Sequence, residues 1–245
     1  PVNHRMLILN GNDNTQNNGN IFALSLEEGS EEWTQTFPSN ISIDTQYGRD
    51  PFFSKGYEDL LIWGNEQLTR WNMRTNDALT TPVFSAGVPV SQYSSAVDEA
   101  TSRVIVFGGG PSDDLRAFSI IPGQEGHDLL STLQSGEVPP EKWLIRAEID
   151  PVRRRFIFFG GNSFPTWTDG DYRDETYELN IDSLTWELVP TTAAPSARGQ
   201  YATAWDPVEE KYYVLCGLYR VGAAGENIIT YNEVWVYDSN TQSWY

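Results

Sequence analysis

The chain has 245 residues, 39% hydrophobic and 13% aromatic, and a formal charge of −18 at pH 7. Its apolar residues are enough for a sizeable core but arrive in short runs, none near the about 20 needed to span a bilayer as a helix, so no membrane insertion is expected within it. Acidic residues spread along the whole length disfavour nucleic acid, whose phosphates require Lys and Arg, and disfavour anionic membrane surfaces.

In chain order, the first apolar run is Met6-Leu7-Ile8-Leu9, followed by Asn10-Gly11-Asn12. Leu26 through Trp33 then forms a polar turn that ends on an indole. A second run, Leu60-Leu61-Ile62-Trp63, precedes Gly64-Asn65, and the unit around Trp71 and Ala78 has no terminal Trp. The next three copies are sharper. Ala96-Val97-Asp98 leads through Arg103 to Val104-Ile105-Val106-Phe107 and then Gly108-Gly109. Asp150-Pro151 leads through Arg155 to Phe156-Ile157-Phe158-Phe159 and Gly160-Gly161-Asn162. Asp206-Pro207 leads through Lys211 to Tyr212-Tyr213-Val214-Leu215 and Cys216-Gly217.

The physical reading is a hairpin in each copy. The Asp starts a turn by accepting backbone amides. The apolar run is a strand buried on both faces, so it does not alternate. The glycine pair permits a sharp turn or a close backbone approach where a Cβ would clash. Small-residue landmarks at 10, 64, 108, 160 and 216 give a period of about 50 residues, the range of a propeller blade. Leu179 through Trp186 and Tyr237 through Trp244 repeat the spacing of Leu26 through Trp33. A Trp at that place is expected in the core between neighbouring sheets.

The apolar run with Gly-Gly, followed by Tyr, six residues and Trp, resembles the kelch repeat. Pro195-Ser196-Ala197-Arg198-Gly199-Gln200-Tyr201-Ala202 looks like the usual lead into the inner strand of a blade. The resemblance is clear over residues 90–245 and weak over 1–89. It implies an all-β, kelch-type β-propeller of four-stranded blades in one domain over 1–245. Five repeat units are visible, at approximately 1–39, 40–87, 88–138, 139–192 and 193–245. Rings of this type usually close with about six or seven blades. Flanking sequence outside this chain, which opens on Pro1, is therefore expected to complete the ring.

Binding residues in such a fold are expected on the loops after the glycine pairs and between blades, because loops vary while strands hold position. The stretches 162–175 and 218–232 are long and distinctive. Trp167, Asp171, Tyr172, Arg173, Arg198, Tyr219 and Arg220 are the partner-binding candidates, since aromatic and Arg side chains dominate interface energetics. The expected function is a non-catalytic binding or scaffolding propeller for a protein or peptide partner. A glycan, bound by a lectin-like propeller or acted on by a carbohydrate-active enzyme, is the alternative.

No cofactor or metal is expected. Asp169, Asp171, Asp174 and Glu175 invite calcium, but their spacing is not an EF-hand ligand set, and a solvated acidic loop is the default. Galactose-oxidase-like enzymes share the fold and bind copper through histidine and tyrosine with a Cys–Tyr cross-link. Here the histidines are His4 and His127, neither in a post-glycine loop, and Cys216 sits in the glycine landmark. The lone cysteine excludes an intrachain disulfide and favours a reducing compartment. Against it, Asn40-Ile41-Ser42 is a glycosylation sequon. The Asn/Ser/Thr/Trp-rich surface and only three lysines (Lys55, Lys142, Lys211) are similar to secreted or membrane-anchored fungal kelch ectodomains. An extracellular location is thus expected, with cytoplasmic as the alternative.

Overall fold

A computed structural model describes residues 5–9, 21–36, 51–64, 67–82, 93–109, 113–124, 126–163, 171–221 and 227–245. Its regular structure is entirely β among these residues. Two compact units divide the chain, Pro1–Val88 and Pro89–Tyr245.

In the first unit, β1 (Arg5–Leu9), β2 (Ile21–Ser25) and β3 (Trp33–Thr36) form a three-stranded antiparallel meander. A four-stranded one follows: β4 (Pro51–Ser54), β5 (Asp59–Gly64), β6 (Gln67–Asn72) and β7 (Ala78–Pro82). Trp71 is buried on Leu60, Ile62 and Ala78, so an indole one strand earlier substitutes for the missing terminal Trp. Trp33 departs from its expected place in the core and stays 47% exposed.

The second unit holds three larger sheets. The first contains β8 (Ser94–Asp98), β9 (Arg103–Phe107), β10 (Leu115–Ser119) and β11 (His127–Leu129). In the next, β12 (Ser135–Gly136) lies parallel on the edge of a meander of β13 (Ala147–Asp150), β14 (Arg155–Phe159), β15 (Thr176–Asn180) and β16 (Thr185–Val189). The last consists of β17 (Ala202–Asp206), β18 (Lys211–Leu215), β21 (Val234–Asp238) and β22 (Ser243–Trp244). Between β18 and β21 the chain makes a separate hairpin, β19 (Leu218–Val221) and β20 (Asn227–Thr230). The sequence reading treats 218–232 as a loop, so this hairpin is a correction.

The turns follow from their residues. Asp150 Oδ1 accepts the amides of Val152 and Arg153 at 2.9 and 3.0 Å. Asp206 Oδ1 does the same for Val208 and Glu209, and Asp98 takes Ala100 N and the Thr101 hydroxyl. Each turn closes through a left-handed residue just before the next strand: Ser102, Arg154 and Glu210. The outer turns use the same device, with Asn180 and Asp238 accepting two amides each. An Asx side chain imitates the turn hydrogen bond and so sets each hairpin locally.

Packing sorts the runs. In β14, Phe156 and Phe158 join the core shared with β8–β10, while Ile157 and Phe159 join the core shared with β17, β18, β21 and β22. All four are fully buried, as a strand covered on both faces must be. In β18, by contrast, Tyr212 and Val214 are buried while Tyr213 and Leu215 are half-exposed, so this run alternates. Trp186 packs on Phe107 and Phe158 of two successive sheets, at ring distances of 4.9 and 5.9 Å. Trp244 packs on Phe159 of the preceding sheet and donates Nε1–H to Thr176 Oγ1 at 2.9 Å. Both indoles are thus core, as expected, each worth about 3 kcal/mol or more if truncated.

Candidate functional site

The glycine pairs position the loops. In the β14 copy, Gly160 and Gly161 have φ of 61° and 82°. A Cβ on Gly161 would stand 2.3 Å from Ile145 Cγ2 and 2.7 Å from Trp143 O. A Cβ on Gly160 would stand 2.6 Å from Arg198 O and 2.8 Å from Arg173 O. Two neighbouring backbones therefore cross directly over the pair. Gly161 N–H donates to Arg198 O, and Gly160 N–H donates to Glu175 O. The same contact recurs at the β9 copy, where Gly109 N–H donates to Lys142 O.

The two lead-in segments that precede β13 and β17 each carry one buried cation at this crossing. Lys142 Nζ reaches Glu175 Oε2 at 2.8 Å, and Arg198 Nη2 reaches Glu233 Oε1 at 2.6 Å. Glu175 and Glu233 each stand just before the third strand of their sheet, so the two ion pairs are repeats of one device. Burial pulls the Lys142 ammonium below its ordinary value, opposed by Glu175. The hydrogen bond from Arg198 pulls the Glu233 carboxyl down. Arg198 donates further to Ser196 O at 2.9 Å and Cys216 O at 3.0 Å, and its guanidinium lies 3.9 Å over the Tyr231 ring.

Above this layer, two post-glycine segments meet. Ser163 N–H donates to Asp171 O, Arg173 N–H to Gly161 O, and Arg173 Nε to Ser163 Oγ. Tyr172 is buried and its ring lies 5.2 Å from that of Tyr219. Gly199 sits beneath the tyrosines and exchanges both backbone hydrogen bonds with Leu218 of β19. Asp171, Tyr172, Arg173 and Tyr219 are thus brought together in one patch, Tyr172 buried, Arg173 exposed and Asp171 and Tyr219 half-buried. Arg220, half-buried, is the next residue of β19, and strand alternation turns its side chain to the face opposite Tyr219. Arg198 lies under the patch, fully buried, and braces it instead of facing a partner. Trp167 lies outside the described residues, as do Phe164 and Asp169.

The patch combines two tyrosine rings, of which Tyr172 is buried, with one arginine and one carboxylate. Among the described residues no group of three or more His, Cys, Asp or Glu is placed to share a cation, and Glu175 of the acidic loop is committed to Lys142. His127 lies on β11 and stacks on Phe118; His4 is outside the described residues. Cys216 is exposed with φ of 60°, a left-handed residue in the glycine landmark.

Sequence reasoning missed two features. The first is hairpin β19–β20, on which Ile228 and Ile229 are 52% and 48% exposed; the β-branched Ile228-Ile229-Thr230 run was its signal. The second is Glu148 on β13, half-buried beside β17, whose Oε1 accepts from Thr203 Oγ1 at 2.8 Å. Nearby, the buried Tyr212 hydroxyl donates to Arg146 O, and the buried Tyr201 hydroxyl donates to Phe159 O and accepts the Arg146 N–H. Burial raises the Glu148 carboxyl to about 7, against the Thr203 hydrogen bond.

A raised carboxyl binds more protons in the folded than in the unfolded chain, so its contribution is complete at low pH and is lost as pH rises through about 7. Denaturant midpoints are expected to fall between pH 5 and pH 8 in the native chain, and less so in Glu148→Gln. Equal pH slopes in the two proteins would contradict this assignment.

No family model and no curated protein matches the chain. Solved structures do. YjhT aligns over 99% of this chain and 80% of its own, with a TM-score of 0.69 and 12% identity. A fungal alcohol oxidase of the AA5 family, in complex with copper, aligns over 92% of this chain with a TM-score of 0.60 and 14% identity. The fold is a β-propeller, as in these two structures. The chain spans about half of the oxidase, 48% of its length. At these identities the likeness concerns the fold. Function rests on the site itself.

Proposed function

We propose that this propeller is a non-catalytic binding or scaffolding module that engages a protein or peptide partner through its post-glycine and inter-blade loops. The observation that carries the reading is the junction of Tyr172 and Tyr219, which joins loops of two successive sheets and continues into a hairpin with two exposed isoleucines. Rigid aromatic anchors beside an exposed Arg are the composition of an interaction centre. The buried Lys142 and Arg198 pairs hold this surface in place before any partner arrives, which lowers the ordering cost of association. Carbohydrate binding or carbohydrate chemistry is the second reading.

Selection from a displayed peptide library, run beside a glycan array, separates the two. Selected peptides are expected to lose at least about tenfold in affinity on Tyr219→Ala, equivalent to about 1.4 kcal/mol, with unchanged thermal stability. Glycan capture with no selected peptide would replace the first reading by the second.

A further inference from the structure

Hairpin β19–β20 has one edge attached and, among the described residues, one edge without a paired strand. Leu218 exchanges both backbone hydrogen bonds with Gly199, so its N–H and C=O point away from β20. In an antiparallel ladder such pairs alternate. Tyr219 and Ile229 therefore form the hydrogen-bonded pair of the hairpin, and the bond from Tyr231 N–H to Gly217 O keeps the same phase. It follows that the N–H and C=O of Ile228 and of Thr230 point to the far side of β20. No strand pairs with that side among the described residues, and all four residues of β20 are exposed.

An open edge of this kind is a template for another strand. Ile228 and Thr230 share one face and Ile229 takes the other, so an added strand would find apolar contact on both sides. Charge selects the occupant. The chain carries −18 overall, and ten Lys or Arg side chains among the described residues are already held by its own carboxylates. Such a field repels a second copy and attracts a cationic chain.

We propose that the outer edge of β20 docks an extended basic peptide, which adds to the hairpin as its third strand through the backbone of Ile228 and Thr230. The proposal rests on the peptide-binding reading above and specifies its mode.

The test uses a fluorescent, end-blocked peptide of alternating Lys and Val, its fully N-methylated counterpart, and the same peptide with Glu for Lys. Thr230→Pro removes one outward N–H; an edge strand tolerates Pro where its N–H faces away from the ladder. The expected result is anisotropy-detected binding of the Lys/Val peptide, weakened at least tenfold by N-methylation or by Thr230→Pro and lost with the Glu peptide. Slowed amide exchange at Ile228 and Thr230 should accompany binding. Binding that tolerates N-methylation overturns strand addition even if Thr230→Pro perturbs the hairpin, because that arm uses the native chain. A dimer of the native chain abolished by Thr230→Pro overturns it in favour of self-pairing. Peptides that ignore Thr230→Pro but are released by Tyr219→Ala overturn strand addition and leave the binding reading standing. Glycan capture without peptide binding overturns both.

Discussion

Arg198→Ala is expected to destabilise the second unit by about 3–4 kcal/mol, measured by urea denaturation. The side chain is fully buried, and its loss strands three acceptors at once. Ser196 O and Cys216 O lose charge-assisted donors, each worth about 1.5–3 kcal/mol. The Tyr231 face loses the cation stacked on it. Glu233 contributes less, because its carboxylate is 46% exposed and water can replace the guanidinium. Arg198→Lys should recover only part of the loss, since one ammonium cannot fill a planar fork. An acid-sensitive component should disappear as well. Arg198 lowers the Glu233 carboxyl, so the pair stabilises above the unfolded carboxyl value and is lost as pH falls through the lowered one. A variant as stable as the native chain would show that Arg198 does not brace the loop face.

Gly161→Ala is expected to cost about 2–5 kcal/mol. Two effects add. A left-handed φ of 82° costs an L side chain about 1–2 kcal/mol. The new Cβ would also enter the space of Ile145 Cγ2 and Trp143 O at 2.3 and 2.7 Å, overpacking that costs about 1–3 kcal/mol. Trp143 O is backbone held by Asn162 N–H, so it cannot turn aside like a side chain. Gly29→Ala separates the two effects: φ is 81° there, but nothing lies within 4 Å of the added Cβ. That variant should lose about 1–2 kcal/mol. Comparable losses at the two positions would mean that the backbone crossing at Gly161 is looser than described.

Much of this architecture is legible in the residues because it is local. Asp98, Asp150 and Asp206 each accept groups a few residues ahead, and a glycine pair following an apolar run calls for a backbone that no Cβ permits. The Trp186 and Trp244 placements agree with their spacing, seven positions past a residue of the preceding strand. Trp33 has the same spacing and is exposed, so spacing places an indole without guaranteeing its cover.

Asp171, Tyr172, Arg173 and Tyr219 lie together because both post-glycine segments leave their sheets at the same crossing. Arg198 reads differently in the fold. As part of Pro195-Ser196-Ala197-Arg198 it looks like a polar lead-in, and only the convergence of Cys216 O, Glu233 and Tyr231 makes it buried. Glu148 is similar. Its raised carboxyl depends on β17 lying beside β13, a neighbour more than 50 positions away in sequence.

By itself, the sequence determines the hairpins of the repeat and their turns, because strand period, Asx turns and glycine φ act over a few residues. The tertiary structure alone decides which cations are buried, which indoles are covered, and that no described strand pairs with the outer side of β20. Burial and pairing are properties of what the next sheet brings, and no residue carries that information alone.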